Sequence, residues 1–151
     1  TGAPITDPNR TDPTKANGAP DWVSGTGTNF YSLGFNTSGS EGWVTLAFLN
    51  PVSDVPGDDL SVHEATNGRP DYPTESAQVE ISLDGLTWYG VGTATSEPGG
   101  DGVSYFDISS TPLDTFQYVS LTDTTAIGPS FDNADGFDLD AVDGVGACLE
   151  E

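Results

Sequence analysis

Residues 53–64 (SDVPGDDLSVHE) and 131–143 (FDNADGFDLDAVD) decide how this chain is expected to fold. Each places a turn rich in Asp and Gly just before a short apolar or β-branched run, so carboxylates gather where a strand begins. Two carboxylates about 4 Å apart repel each other by roughly 1 kcal/mol in water and by more near a protein surface. Carboxylates held together must therefore protonate, stay solvated or share a cation.

A shared cation explains this clustering better than turn formation does. Any single Asp here is equally well explained as a turn residue. Glu64 is not explained as a turn residue. Strand alternation puts it on the same side as Leu60 and Val62, where a carboxylate is costly unless it is paired or coordinated. In the second stretch, alternation places Asp138 and Asp140 side by side. Oxygen ligands without Cys or His nearby indicate calcium, which takes about 6–8 oxygens, although the EF-hand pattern is absent.

Composition excludes several classes of partner. The 151 residues suffice for one domain, and three basic residues against 24 acidic ones give a net charge of −21. Binding to nucleic acid or anionic lipid is therefore not expected. No apolar run is long enough for a membrane span, and the single Cys148 excludes an intrachain disulfide. Bound cations or high external salt would relieve the self-repulsion, so we expect an extracellular or cell-surface protein whose signal peptide has been removed.

Periodicity predicts an all-β domain. Gly and Pro number 30 together (19 and 11), Met is absent, and no segment indicates a helix. The predicted strands are residues 29–35, 42–50, 59–65, 77–83, 87–91, 103–108, 116–122 and 137–145. Residues 42–50 are apolar on both faces and predict a central strand, and Asp84-Gly85 predicts a hairpin. Eight short strands favour a two-sheet antiparallel jelly roll over 21–151, preceded by an extended N-terminal arm over 1–20.

Several sequence segments resemble those of known protein families. Residues 77–91 (AQVEISLDGLTWYGV) and 118–124 (YVSLTDT) resemble the central hairpin and penultimate strand of galactose-binding-like, or discoidin-like, jelly rolls. Residues 16–21 (ANGAPD), 56–64 (PGDDLSVHE) and 135–142 (DGFDLDAV) resemble a pattern of predicted cell-surface proteins of bacteria and archaea. The resemblance implies a calcium-bearing jelly roll. The calcium ligands that it implies are Asp21, Asp59, Glu64, Asp138 and Asp140, and the charge argument adds Asp54 and Asp58.

Catalysis is not expected, because His63 is the only histidine and no nucleophile elbow, Cys/His pair or phosphate loop is present. The first hypothesis is a structural or adhesive subunit of a filament, tubule, surface layer or adhesin, stabilised by calcium and forming a homo-oligomer through its N-terminal arm. The alternative is a calcium-dependent carbohydrate-binding module. Trp22 and Tyr72 are its candidate sugar contacts, whereas Trp43 and Trp88 are expected to pack in the core.

Overall fold

A computed structural model describes residues 5, 7–23, 29–35, 42–65, 74–96, 100–126 and 135–145. These ranges contain eight strands: β1 (Tyr31–Ser32), β2 (Trp43–Ser53), β3 (Leu60–Glu64), β4 (Ser76–Ser82), β5 (Tyr89–Thr95), β6 (Val103–Phe106), β7 (Thr115–Asp123) and β8 (Asp138–Gly144). Three short 3₁₀ turns are the only helical segments in the same ranges: Pro8–Arg10, Pro13–Ala16 and Ile108–Ser110. No helix among the described residues has the length and apolar character needed to cross a membrane.

The strands form two four-stranded sheets. One has the order β1-β8-β3-β6 and the other has the order β2-β7-β4-β5, and neighbouring strands are antiparallel throughout. Strands distant in sequence are adjacent in both sheets, as β3 and β8 are. The predicted all-β, two-sheet antiparallel jelly roll is confirmed.

Alternating apolar residues build the core between the sheets. In β4, Ala77, Val79 and Ile81 are fully buried, while Gln78 and Glu80 are only partly covered. The opposite sheet contributes Leu60, Val62 and Leu139, although most residues of its strands β3 and β8 are buried on both faces. Full burial of one such Val, Leu or Ile side chain stabilises the fold by about 1.5–3 kcal/mol.

The prediction of a central strand over residues 42–50 is wrong. Among the described strands, β2 lies at the edge of its sheet and pairs only with β7. Its outward face is exposed: Trp43 is 51% exposed rather than packed in the core, and Leu49 is 93% exposed. The apolar character of both faces suggested burial on both sides, but only Val44 and its inward neighbours contact the core. Trp88 is partly buried.

The hairpin predicted at Asp84-Gly85 is present between β4 and β5. One Asp84 oxygen accepts the backbone N–H groups of Leu86 and Thr87 at 2.8 Å each, and Gly85 has a φ of +71°. Hydrogen bonds from these N–H groups lower the pKa of Asp84, and the N–H group of Thr87 has the largest effect. Leu83 is 47% exposed, because β4 ends at Ser82 and Leu83 already belongs to the turn.

The described residues of the N-terminal arm lie against the domain of their own chain. Ala16 is buried in the core cluster. One Arg10 guanidinium nitrogen donates to both oxygens of Asp135, at 3.0 and 3.1 Å, and the guanidinium stacks on the Phe30 ring. This ion pair brings the arm to the end of the sandwich where β8 begins.

Candidate metal centre

Three buried acidic side chains meet at one end of the sandwich. Glu64 is the last residue of β3, Asp138 is the first of the adjacent β8, and Glu75 directly precedes β4 in the opposite sheet. One oxygen from each carboxyl group lies within 4.8 Å of the others. We call these three residues the carboxylate cluster. Because its members belong to both sheets, any ion held there would connect the two layers.

Glu75 and Asp138 have buried oxygens with no hydrogen-bond partner. Both residues are fully buried, and Glu64 is 5% exposed. Neither Glu75 oxygen accepts a hydrogen bond, nor does Oδ2 of Asp138, whereas Oδ1 of Asp138 accepts the Ser32 hydroxyl proton. A buried polar atom without a partner typically costs about 1–3 kcal/mol, and more when it is charged. These buried oxygens are therefore ones that either a proton or a cation could satisfy.

Further buried carboxyl groups lie near the cluster. Asp123 and Asp135 are both buried there, and both repel a charge on Glu75. Among the described residues, the Arg10 guanidinium lies 3.0 Å from Asp135 and 4.0 Å from Asp138. Backbone N–H groups of Thr125 and Phe137 bind Asp123. Buried carboxylates persist only when protonated or paired with cations.

The pKa shifts follow from this crowding. Burial, followed by repulsion from Asp138 and the neighbouring carboxylates, raises the pKa of Glu75 to about 10. Burial also raises the pKa of Asp138 well above its ordinary value, and repulsion from Asp135 adds to this effect. Without a cation, Glu75 is therefore protonated at neutral pH. A divalent cation would displace that proton and turn the repulsion into coordination.

The donor set fits calcium. All three side chains offer hard carboxylate oxygens, with no sulfur or imidazole ligand among them, which favours calcium over zinc or copper. The cluster brings Glu64 of the first acidic stretch together with Asp138 of the second. Glu75 was missed by the sequence analysis. The signal was present, because Glu75 is in register with Ala77, Val79 and Ile81, as Glu64 is with Leu60 and Val62.

The other predicted ligands lie elsewhere. Asp54 and Asp59 form a second acidic group with Asp107. In this group, Asp59 binds backbone N–H groups. Its two oxygens accept hydrogen bonds from Val55 and Ile108 at 2.8 and 3.0 Å. Desolvation, and then repulsion by Asp59, raises the pKa of Asp54.

Asp58 is exposed and joins neither acidic group among the described residues. Asp140 does not engage Glu75; its Oδ1 accepts the N–H groups of Asp21 and Trp22 at 3.4 and 3.2 Å. Burial raises the pKa of Asp140, and these N–H groups oppose the shift. Trp22 is partly buried, and Tyr72 lies outside the described residues.

The one histidine lacks the geometry of a catalytic base. His63 Nε2 lies 3.1 Å from the Ser61 hydroxyl and 3.4 Å from an Asp143 oxygen. A Ser-His-Asp triad needs the hydroxyl and the carboxylate on opposite ring nitrogens, so that one nitrogen takes the proton while the other is held. Here both partners face the same nitrogen, and this trio cannot relay a proton in that manner.

Gly136 allows β8 to begin beside the cluster. Its φ is +79°, and a Cβ there would lie 2.8 Å from an Asp123 oxygen and 2.9 Å from the Gly34 backbone. We expect Gly136→Ala to reduce the free energy of unfolding in urea by about 2–4 kcal/mol, because strain and overpacking add. Gly57→Ala is the matched control: its φ is +108° with nothing within 4 Å. We expect it to cost about 1–2 kcal/mol, from backbone strain alone. Equal losses of unfolding free energy in the two variants would contradict steric crowding at Gly136.

Comparison with known structures identifies the architecture. No protein-family model and no curated protein matches the chain. A similar solved structure is the CBM32 of AlyQ in complex with 4,5-unsaturated mannuronic acid, at 12% identity, covering 90% of this chain and 85% of that one, with a TM-score of 0.55. The chain has the galactose-binding-like jelly-roll fold.

Two other structures show weaker likeness to this jelly roll. A pectin binding carbohydrate binding module has 16% identity and a TM-score of 0.47, with 74% of this chain and 70% of that one covered. CBM32-3 from a family 31 glycoside hydrolase of Clostridium perfringens has 12% identity and a TM-score of 0.45, with 72% and 69% covered. The resemblance of residues 77–91 and 118–124 to such jelly rolls is confirmed at the level of the fold by the CBM32 of AlyQ, not by these two structures.

Proposed function

We propose that the chain is a non-catalytic carbohydrate-binding module of an extracellular protein, and that calcium held by Glu64, Glu75 and Asp138 stabilises its fold. The observation that carries the proposal is the jelly-roll fold, which the CBM32 of AlyQ shares over 90% of this chain. That module is in complex with a sugar, 4,5-unsaturated mannuronic acid. The proposed role needs no proton relay, in keeping with the geometry around His63.

In this proposal calcium serves the fold rather than the sugar. Glu64 and Asp138 belong to one sheet and Glu75 adjoins a strand of the other, so coordination there would fasten the two sheets at one end. The cluster is also buried, which leaves little room for a sugar hydroxyl to reach the ion. Chelation should therefore weaken glycan binding through loss of stability rather than by removing a direct contact.

The fold comparison favours this hypothesis over self-assembly as a filament or surface layer. The arm was expected to reach a neighbouring subunit. Its described residues instead contact their own domain, through buried Ala16 and the ion pair of Arg10 with Asp135. Homo-oligomer formation through the arm stays a prediction, and calcium-dependent light scattering would test it.

Affinity gel electrophoresis tests the proposed function. We expect the intact chain, with calcium present, to be retarded in gels that contain a suitable polysaccharide and to release no reducing sugar from it. A panel of laminarin, xylan, galactomannan, pectin and alginate covers neutral and acidic classes. Absence of retardation by every glycan, together with assembly on calcium addition, would contradict the module and support the structural subunit.

A further inference from the structure

The outward side of the sheet β2-β7-β4-β5 forms a continuous polar surface. Cross-strand register aligns its residues in rows across the strands. One row is Trp43, Thr122, Gln78 and Thr93, and the next is Thr45, Ser120, Glu80 and Gly90. We call these eight residues the outer platform. They alternate with the buried core residues of the same strands, so their side chains point away from the core.

The polar groups of the outer platform are available to a ligand. Within the described ranges, the side chains of Thr45, Ser120, Thr122, Glu80 and Thr93 form no hydrogen bond with another protein group. The Gln78 amide makes one long contact of 3.5 Å with the Val79 carbonyl. Polar side chains in the turns are used differently, since those of Asp84 and Asp107 accept backbone N–H groups. The outer platform thus presents unused donors and acceptors in a regular array.

Trp43 adds a stacking surface at the β2 edge of this array. Its side chain is 51% exposed, which is unusual for so large an apolar group. An aromatic ring can pack against the C–H face of a pyranose while its N–H bonds a hydroxyl. Tyr118 lies on the same side of β7 as Ser120 and Thr122 and is partly exposed, so a second ring borders the surface.

The charge of the outer platform selects its ligand. Glu80 is the one acidic residue of the outer platform, no basic residue belongs to it, and the whole chain carries a net charge of −21. A polyuronate would be repelled, and a second copy of this chain would face the same repulsion. Hydroxyl, amide and carboxylate groups beside an aromatic ring instead complement the hydroxyls of an uncharged sugar.

We propose that the outer platform binds a neutral polysaccharide laid across the four strands, with Trp43 stacking on one sugar ring. This inference rests on the proposed carbohydrate-binding function and assigns it a surface and a ligand class. Strands about 4.8 Å apart make each row about 14 Å long, enough for a short oligosaccharide segment rather than a single sugar. The cleft of about 350 Å³ near Asn17 and Asp143 is a poorer candidate, because its lining is mostly aliphatic.

Affinity gel electrophoresis of three variants tests this assignment. With laminarin, xylan and galactomannan as neutral probes and alginate and pectin as acidic probes, we expect at least one neutral glycan and neither acidic one to retard the wild type. Trp43→Ala should weaken that binding by about tenfold or more, and Trp43→Phe should retain part of it. Tyr105→Ala is the matched control, since Tyr105 is 56% exposed on the other sheet. Unchanged binding is expected there, and thermal melting confirms that each variant folds.

Each alternative outcome has a distinct meaning. Full binding by Trp43→Ala would overturn the outer platform while leaving the carbohydrate-binding function in place. Retardation by alginate or pectin would overturn the neutral ligand class. No retardation of the wild type by any of the five glycans would contradict both the platform and the proposed function.

Discussion

Calcium is expected to raise the melting temperature of the wild-type chain by about 5–10 °C when supplied at about 100 times its dissociation constant. Ligand linkage gives about 2.7 kcal/mol at that concentration, and a domain of this size gains a few degrees per kcal/mol. The physical reason is the carboxylate cluster, in which fully buried Glu75 and Asp138 have oxygens without hydrogen-bond partners. Differential scanning calorimetry in calcium and in chelator measures the shift.

Glu75→Gln separates ion binding from ordinary packing. The glutamine is close in shape to the protonated Glu75 that exists without an ion, since the pKa of Glu75 is raised to about 10. We therefore expect the ion-free variant to melt within about 2 °C of the ion-free wild type. The calcium-dependent rise should be largely lost, because a neutral amide replaces one of three negatively charged ligands.

Asp58→Asn is the control for Glu75→Gln. It removes one negative charge from the acidic turn before β3, but Asp58 is exposed and joins no acidic group among the described residues. The full calcium shift is expected in this variant. If Asp58→Asn lost the shift and Glu75→Gln kept it, the ion would belong to the acidic turn and not to the cluster.

Sequence periodicity helped to predict the fold because strands such as β4 and β7 alternate between buried and partly exposed residues. β4 shows this most clearly, with Ala77, Val79 and Ile81 inward and partly exposed Gln78 and Glu80 between them. The position of β2 could not be predicted in this way. Its outer face carries Trp43 and Leu49, and a pattern of residue types does not state whether a second layer covers them.

The candidate site was predictable only in part. Alternation identified Glu64 as a carboxylate on an apolar face, and the acidic turn before β8 drew attention to Asp138. Their convergence with Glu75 depends on how the two sheets stack, which short-range patterns do not specify. Asp59 looked equivalent in sequence, yet it binds the backbone of Val55 and Ile108. An acidic turn residue and an acidic ligand have the same local pattern, and only tertiary contacts distinguish them.

The ion-free protein is expected to lose stability as pH rises from 5.5 to 8.5. The pKa of Glu75 is 4.5 in the unfolded chain and about 10 in the folded one. Between these values the folded state holds a proton that the unfolded state has released, so the free energy of unfolding falls with pH, by at most about 1.4 kcal/mol per pH unit for one group. The raised pKa of Asp138 acts in the same direction.

Urea unfolding at several pH values, with and without calcium, measures this dependence. Saturating calcium should flatten or reverse it, because the ion binds the deprotonated carboxylates and gains affinity as they ionise. Glu75→Gln should make the ion-free profile less steep, since one of the two buried titrating groups is gone and Asp138 remains, while Asp58→Asn should keep the wild-type slope. The carboxyl groups with lowered pKa values, such as Asp84 and Asp107, lose their contribution only below about pH 4 and do not affect this window. An unchanged slope in Glu75→Gln would show that Glu75 is not the buried proton carrier of the ion-free fold.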